Sequence, residues 1–114
     1  MNEVNLVGRL VRDVELRKTN TGKSVANLTL AVSKNYKNEN GQYETEFIDI
    51  TVWDKIAENI SKYCSKGDTV SVKGSLSIDK QSINNKNYNF LKITGNKVSF
   101  LAKSNENKKR DMER

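Results

Sequence analysis

The apolar residues of this chain recur with a period of two almost throughout, and with a period near 3.6 only once, between Asp54 and Gly67. Side chains two apart share a face of a strand and those three or four apart share a face of a helix, so the pattern restricts the fold to a sheet protein with a single convincing helix. The clearest alternating stretch is Phe47-Ile48-Asp49-Ile50-Thr51-Val52-Trp53. It puts Ile48, Ile50 and Val52 on one face and Phe47, Asp49, Thr51 and Trp53 on the other. The first is an ordinary core face. The second sets two large aromatics among polar residues, which suits a solvated face that meets a flat partner. A nucleic-acid base stacked on Phe or Trp contributes about 1–3 kcal/mol whatever its identity. On this segment alone, a second core layer or a subunit interface explains Phe47 and Trp53 equally well.

The other strands follow the same rule. Val4, Leu6 and Val7 open one that runs through Gly8 to Val11 and continues, after a bend, through Val14 to Arg17; Gly8 suits a bulge or a close neighbour. Asn20 to Lys23 is a turn by composition. Val25 to Val32 forms the second strand, with Ala26, Leu28, Leu30 and Val32 inward and Asn27 and Thr29 outward, fraying from Ser33 to Lys37. A turn at Asn38 to Gly41 leads into the third, Tyr43 to Trp53. Ile56, Ala57, Ile60, Tyr63 and Cys64 then share one helical stripe, between Asp54 as N-cap and Gly67 as the stop. The fourth strand turns Val70, Val72, Gly74, Leu76 and Ile78 to one side. A polar turn from Ile83 to Asn87 precedes the fifth, with Leu91 and Ile93 inward, Tyr88, Phe90 and Lys92 outward, and a bulge at Gly95-Asn96. The hydrophobic pattern ends at Leu101, giving one domain over residues 1–102 and a flexible charged tail over 103–114.

Length and composition bound the function. At 114 residues the chain supports one core. Its 20 Lys and Arg against 14 Asp and Glu leave a net charge of +6, a field that favours a polyanion such as nucleic acid or an acidic membrane. With one cysteine, Cys64, and no histidine, an internal disulfide, a zinc cluster and histidine-based catalysis are excluded, and no cofactor is expected. Cys64 lies on the apolar helical stripe and reads as a structural thiol. The absence of a long apolar run predicts a soluble, cytoplasmic protein.

Three strands, a helix and two further strands match the five-stranded Greek-key OB barrel, an all-β fold that binds oligonucleotides or oligosaccharides on one sheet face. Several segments in order also resemble the bacterial single-stranded DNA-binding protein family. They are Asn5 to Leu10 with Asp13 and Glu15 to Arg17; Asn20-Thr21-Gly22 leading into Val25 to Val32; and Phe47 to Trp53 followed by Asp54 to Asn59 and Lys66-Gly67. The resemblance covers about residues 2–101. It implies a homotetramer that wraps single-stranded DNA during replication, recombination and repair. By position it implies base stacking on Tyr36, Phe47 and Trp53, and phosphate contacts from Arg17, Lys37, Lys55, Lys66 and Lys80. Tyr36 shares the parity of its strand's core residues, so a bulge near Lys34 is needed to move it to the outer face.

Two departures follow. A further stacking position of the family is Gln81 here, for which outward Tyr88 or Phe90 are the available substitutes. The chain also ends Lys108-Lys109-Arg110-Asp111-Met112-Glu113-Arg114 instead of in an acidic, Pro-Phe-containing tip. Recruitment of replication enzymes through such a tip is therefore not expected, which fits a short phage or mobile-element form or a truncated chain. An enzyme is disfavoured, because Asp49 has no second carboxylate beside it to hold Mg²⁺ and no histidine can serve as base. Thr21-Gly22-Lys23-Ser24 lacks the glycine spacing and following helix of a phosphate loop. The remaining alternative is an OB-fold adaptor, primosomal or otherwise, that binds protein partners.

Overall fold

Alternation of β-branched and aliphatic residues with polar ones produces six strands and one helix in the computed structural model, which describes residues 1–104. These are β1 (Val4–Leu10), β2 (Arg17–Lys18), β3 (Ser24–Lys37), β4 (Tyr43–Trp53), α1 (Asp54–Tyr63), β5 (Thr69–Ile83) and β6 (Lys86–Ala102). The sheet runs β1-β5-β6-β4-β3-β2, and β1 also pairs with β3, which closes the five long strands into a barrel. The β4–β6 contact is parallel, through Thr51 and Thr94, and the other ladders are antiparallel. This is the expected OB-type barrel, with α1 between the third and fourth long strands. Beyond Ser104, the charged tail expected over 103–114 lies outside the described residues.

The barrel fills with the inward parity set of each strand. Leu10, Leu28, Leu30, Ile50, Val52 and Val70 are fully buried, each contributing about 1.5–3 kcal/mol relative to exposure. Closure needs a small residue where β1 meets β3: a Cβ on Gly8 would stand 2.6 Å from the Ala31 carbonyl oxygen. Of the segment expected to prolong β1, Val14 to Arg17, only Arg17 pairs, together with Lys18 in the short β2 against Val25 and Ser24. The intervening loop is anchored instead, since Val14 enters the core and Asp13 Oδ1 accepts from the Lys66 N–H at 2.8 Å.

The helix differs from expectation at both ends. Asp54 is its first residue, with φ +54°, and Trp53 occupies the cap position without a side-chain hydrogen bond, because β4 passes into α1 with no linker. The helix stops at Tyr63. Gly67 belongs to the turn that follows, where its N–H donates to the Leu10 carbonyl. Ala57 and Ile60 are buried, whereas Tyr63 is exposed. Cys64 is half-buried, and burial, with the Asp68 charge second, raises its pKa, which keeps it the weakly reactive thiol its position suggested.

Strand β3 does not fray at Ser33 but continues to Lys37 through a bulge. The β5–β6 hairpin runs past the barrel and closes on Asn84-Asn85, both with positive φ, a tighter turn than composition suggested. Leu76, Ile78 and Leu91 keep the inward parity yet are exposed, because the hairpin has outrun the core they were expected to join. The expected bulge is present: Lys73 faces Lys97 and Gly74 faces Gly95, leaving Asn96 as the extra residue.

Candidate nucleic-acid interface

Residues directly opposite in an antiparallel ladder point to the same side, so the register assembles the outer face row by row. One row is Arg17, Val25 and Trp53. Another is Arg9, Ala31 and Phe47. Between them the polar groups of the face are tied down: Thr29 Oγ1 donates to Asp49 Oδ1 at 2.7 Å, and Thr51 Oγ1 to Asn27 Oδ1 at 3.1 Å. Phe47 is 69% exposed and Trp53 half-buried.

The face continues onto the hairpin through the Thr51–Thr94 pair. Lys92 Nζ lies 6.0 Å from the centre of the Trp53 ring system. Beyond Lys92, Phe90 and Tyr88 stack on each other with centroids 6.2 Å apart and planes inclined by 28°. Tyr88 sits directly across the ladder from Gln81. An open cleft of about 530 Å³ beside Trp53 is lined by Lys55, Ile56, Gly95 and Asn96. Tyr88, Phe90, Lys92, the half-buried Trp53 and Phe47 thus share one face as a track of aromatics and cations, with Arg17 and Lys55 flanking Trp53, Asp49 and Thr51 between Trp53 and Phe47, and Asp79 across from Phe90.

A scan of protein families matches residues 1–101 to the "Single-strand binding protein family". The chain belongs to the single-strand binding protein family. Among its relatives are "Single-stranded DNA-binding protein B" of Bacillus subtilis, 48% identical over 73 residues, covering 64% of this chain and 65% of that protein, and "Single-stranded DNA-binding protein" of Streptococcus mutans, 46% identical over 74 residues, covering 65% and 45%. A third, "Single-stranded DNA-binding protein" of Staphylococcus aureus, is 41% identical over 110 residues, covering 94% and 69%. The matched segment therefore spans about half to two thirds of these relatives' length.

In this family member, the residues singled out from sequence do not all gather in one place. Phe47, Trp53, Tyr88, Phe90, Arg17 and Lys55 belong to the track. Tyr36 is exposed but lines a separate cleft with Val32, Ile48 and Glu46. Lys34 Nζ is 5.9 Å from its ring and pairs with Glu44 at 2.9 Å and Glu46 at 3.7 Å. The hydrogen bond to Glu44, and then its charge, raise the Lys34 pKa. The bulge anticipated near Lys34 exists, between Ser33 and Lys37, and the residue it sets opposite Tyr43 is Lys37. Lys66 lies in the turn after α1. Lys80 sits across from Asn89, on the hairpin face of Ile78 and Leu91, away from Tyr88 and Phe90. Sequence reasoning noted Lys92 as outward without giving it a role, and it passed over Arg9, whose row appears only when the barrel closes. Among the described residues, no group of three His, Cys, Asp or Glu side chains could hold a metal ion, and no helix is long and apolar enough to cross a membrane.

Proposed function

We propose that this protein is a non-catalytic binder of single-stranded DNA that coats exposed strands with little sequence preference during replication, recombination and repair. The observation that carries the reading is the set of aromatics and cations that share the outer face of an OB barrel in a chain of this family. Bases stack on Trp53 and Phe47, and Tyr88 with Phe90 supplies the platform that Gln81 does not. Arg17, Lys37, Lys55 and Lys92 bind phosphates, while Lys66 and Lys80 engage the strand only where it leaves this face. An adaptor that binds only proteins would have no need for aromatics spaced along a solvated strand. The assembly is a homotetramer, as the resemblance implies, and light scattering measures it.

Each phosphate neutralised on a single strand lowers the slope of log affinity against log salt by about 0.7. Four such contacts per barrel give a slope of about −3 for poly(dT). Duplex DNA of equal length binds far more weakly, because paired bases cannot leave their stack to reach Trp53. Anisotropy titrations of labelled poly(dT) and duplex across a salt series measure both quantities. Equal affinity for the two, or affinity indifferent to salt, would overturn the reading.

A further inference from the structure

Four residues before Phe47 on β4, and on the same side, stands Tyr43. It is 58% exposed, and Lys37 Nζ lies 5.5 Å from its ring centre. That neighbour is a product of the β3 bulge. Ser33 pairs with Thr45, so an uninterrupted ladder would set Asn35 opposite Tyr43, whereas the register shift between Ser33 and Lys37 sets Lys37 there. Glu39 lies in the turn that closes this arm, and the two acids that β4 contributes to it lie on its other side. Glu44 and Glu46 have the opposite parity to Tyr43 and Phe47 and are engaged by Lys34. From Tyr43 to Phe47 the outer side of β4 therefore carries an aromatic, Thr45 and an aromatic, with a lysine over the far end and no carboxylate of β4 between.

We propose that Tyr43 is one additional stacking position, seated beside the Lys37 cation already assigned to phosphate, which prolongs the single-strand track past Phe47 to the end of the β3–β4 arm. The inference rests on the single-strand reading above. At about 3.4 Å per residue, Tyr43 lies about 14 Å beyond Phe47 along the strand, whereas Trp53 lies about 20 Å from Phe47 in the other direction. A ligand short enough to occupy the region of Trp53 alone does not reach Tyr43. A longer one does.

This difference in reach gives the test. Trp53 fluorescence reports occupancy of its own end of the track, and OB folds take about 4 to 16 nucleotides. Tyr43→Ala should leave the affinity for oligo(dT) of about 4 nucleotides unchanged and weaken that for about 16 nucleotides by at least fivefold. Tyr43→Phe should keep wild-type affinity, since the ring and not the hydroxyl makes the contact. Lys37→Gln should reduce the salt slope for the long ligand by about 0.7. With 5-bromouracil in the long oligonucleotide, ultraviolet light should yield a cross-link at Tyr43, located by mass spectrometry. Unchanged long-ligand affinity in Tyr43→Ala, or an equal loss for both lengths, would overturn the subsite while wild-type binding left the single-strand reading intact. Failure of the wild-type protein to bind any length would remove both.

Discussion

Replacing Trp53 by Ala is expected to lower affinity for poly(dT) by about 5- to 150-fold, the range that corresponds to one lost base stack. The ring has three kinds of neighbour. Lys92 approaches it from β6, the Lys55 cleft opens beside it, and Val25, only 2% exposed, is its direct partner across the ladder. Removing the indole therefore uncovers part of Val25 and costs about 1 kcal/mol of stability, too little to unfold a barrel whose interior is untouched. The variant should keep its strand-dominated circular dichroism and melt a few degrees lower, while binding falls steeply. Loss of the fold instead would make Trp53 a core residue and remove it from the interface. The phosphate contacts survive the substitution, so the residual binding should retain most of its salt dependence.

Gly74→Ala is expected to be the most damaging small substitution in the barrel wall. A Cβ at this position would stand 2.2 Å from the Thr94 carbonyl oxygen and 3.0 Å from its carbon, and a backbone group cannot swing aside as a side chain can. Relief requires moving the bulge at Asn96. Thr94 also makes the parallel bridge to Thr51, so the shift reaches the seam between β6 and β4 on which the track crosses from barrel to hairpin. A cost of about 3 kcal/mol is expected, which for a domain of this size lowers the melting temperature by roughly 10–20 °C. Thermal melts of the purified variant read this directly, and an unchanged melting temperature would mean that the bulge adapts without strain.

Much of the barrel was legible because the period of a strand is short and local. Parity alone assigned Ile50 and Val52 to the core and set Phe47 on the opposite face, where it is exposed, and Gly95-Asn96 marked its bulge. Parity does not tell where a strand leaves the barrel. Leu76, Ile78 and Leu91 have the inward pattern of core residues, but the hairpin carries them past the interior into solvent. The helix ends were misread for a local reason: an aspartate after a strand resembles a cap, and only the abrupt β4-to-α1 junction makes Asp54 the first helical residue. The site was legible only in part because it depends on register, which is a relation between distant residues. Nothing near Lys37 in sequence shows that it opposes Tyr43 and not Asn35. Nothing near Lys92 shows that it lies over Trp53, and Arg9 joins the row of Phe47 only through β3. The parity of Phe47 and Trp53 continues along β4 to Tyr43, but Glu44 and Glu46 replace the apolar residues of the other face there, so the alternation that marked Phe47 and Trp53 does not mark Tyr43.

Trp53 is the proposed stacking platform for unpaired bases, and the chain has one tryptophan, so its fluorescence reports that position alone. Titration with poly(dT) at low and at high salt, beside a duplex of the same length, is the most direct test. Strong quenching by the single strand, weak quenching by the duplex and an affinity that falls with salt are the predicted result. Fluorescence unaltered by saturating poly(dT), with no binding at low salt, would contradict the account and leave an OB barrel whose aromatic face serves a protein partner.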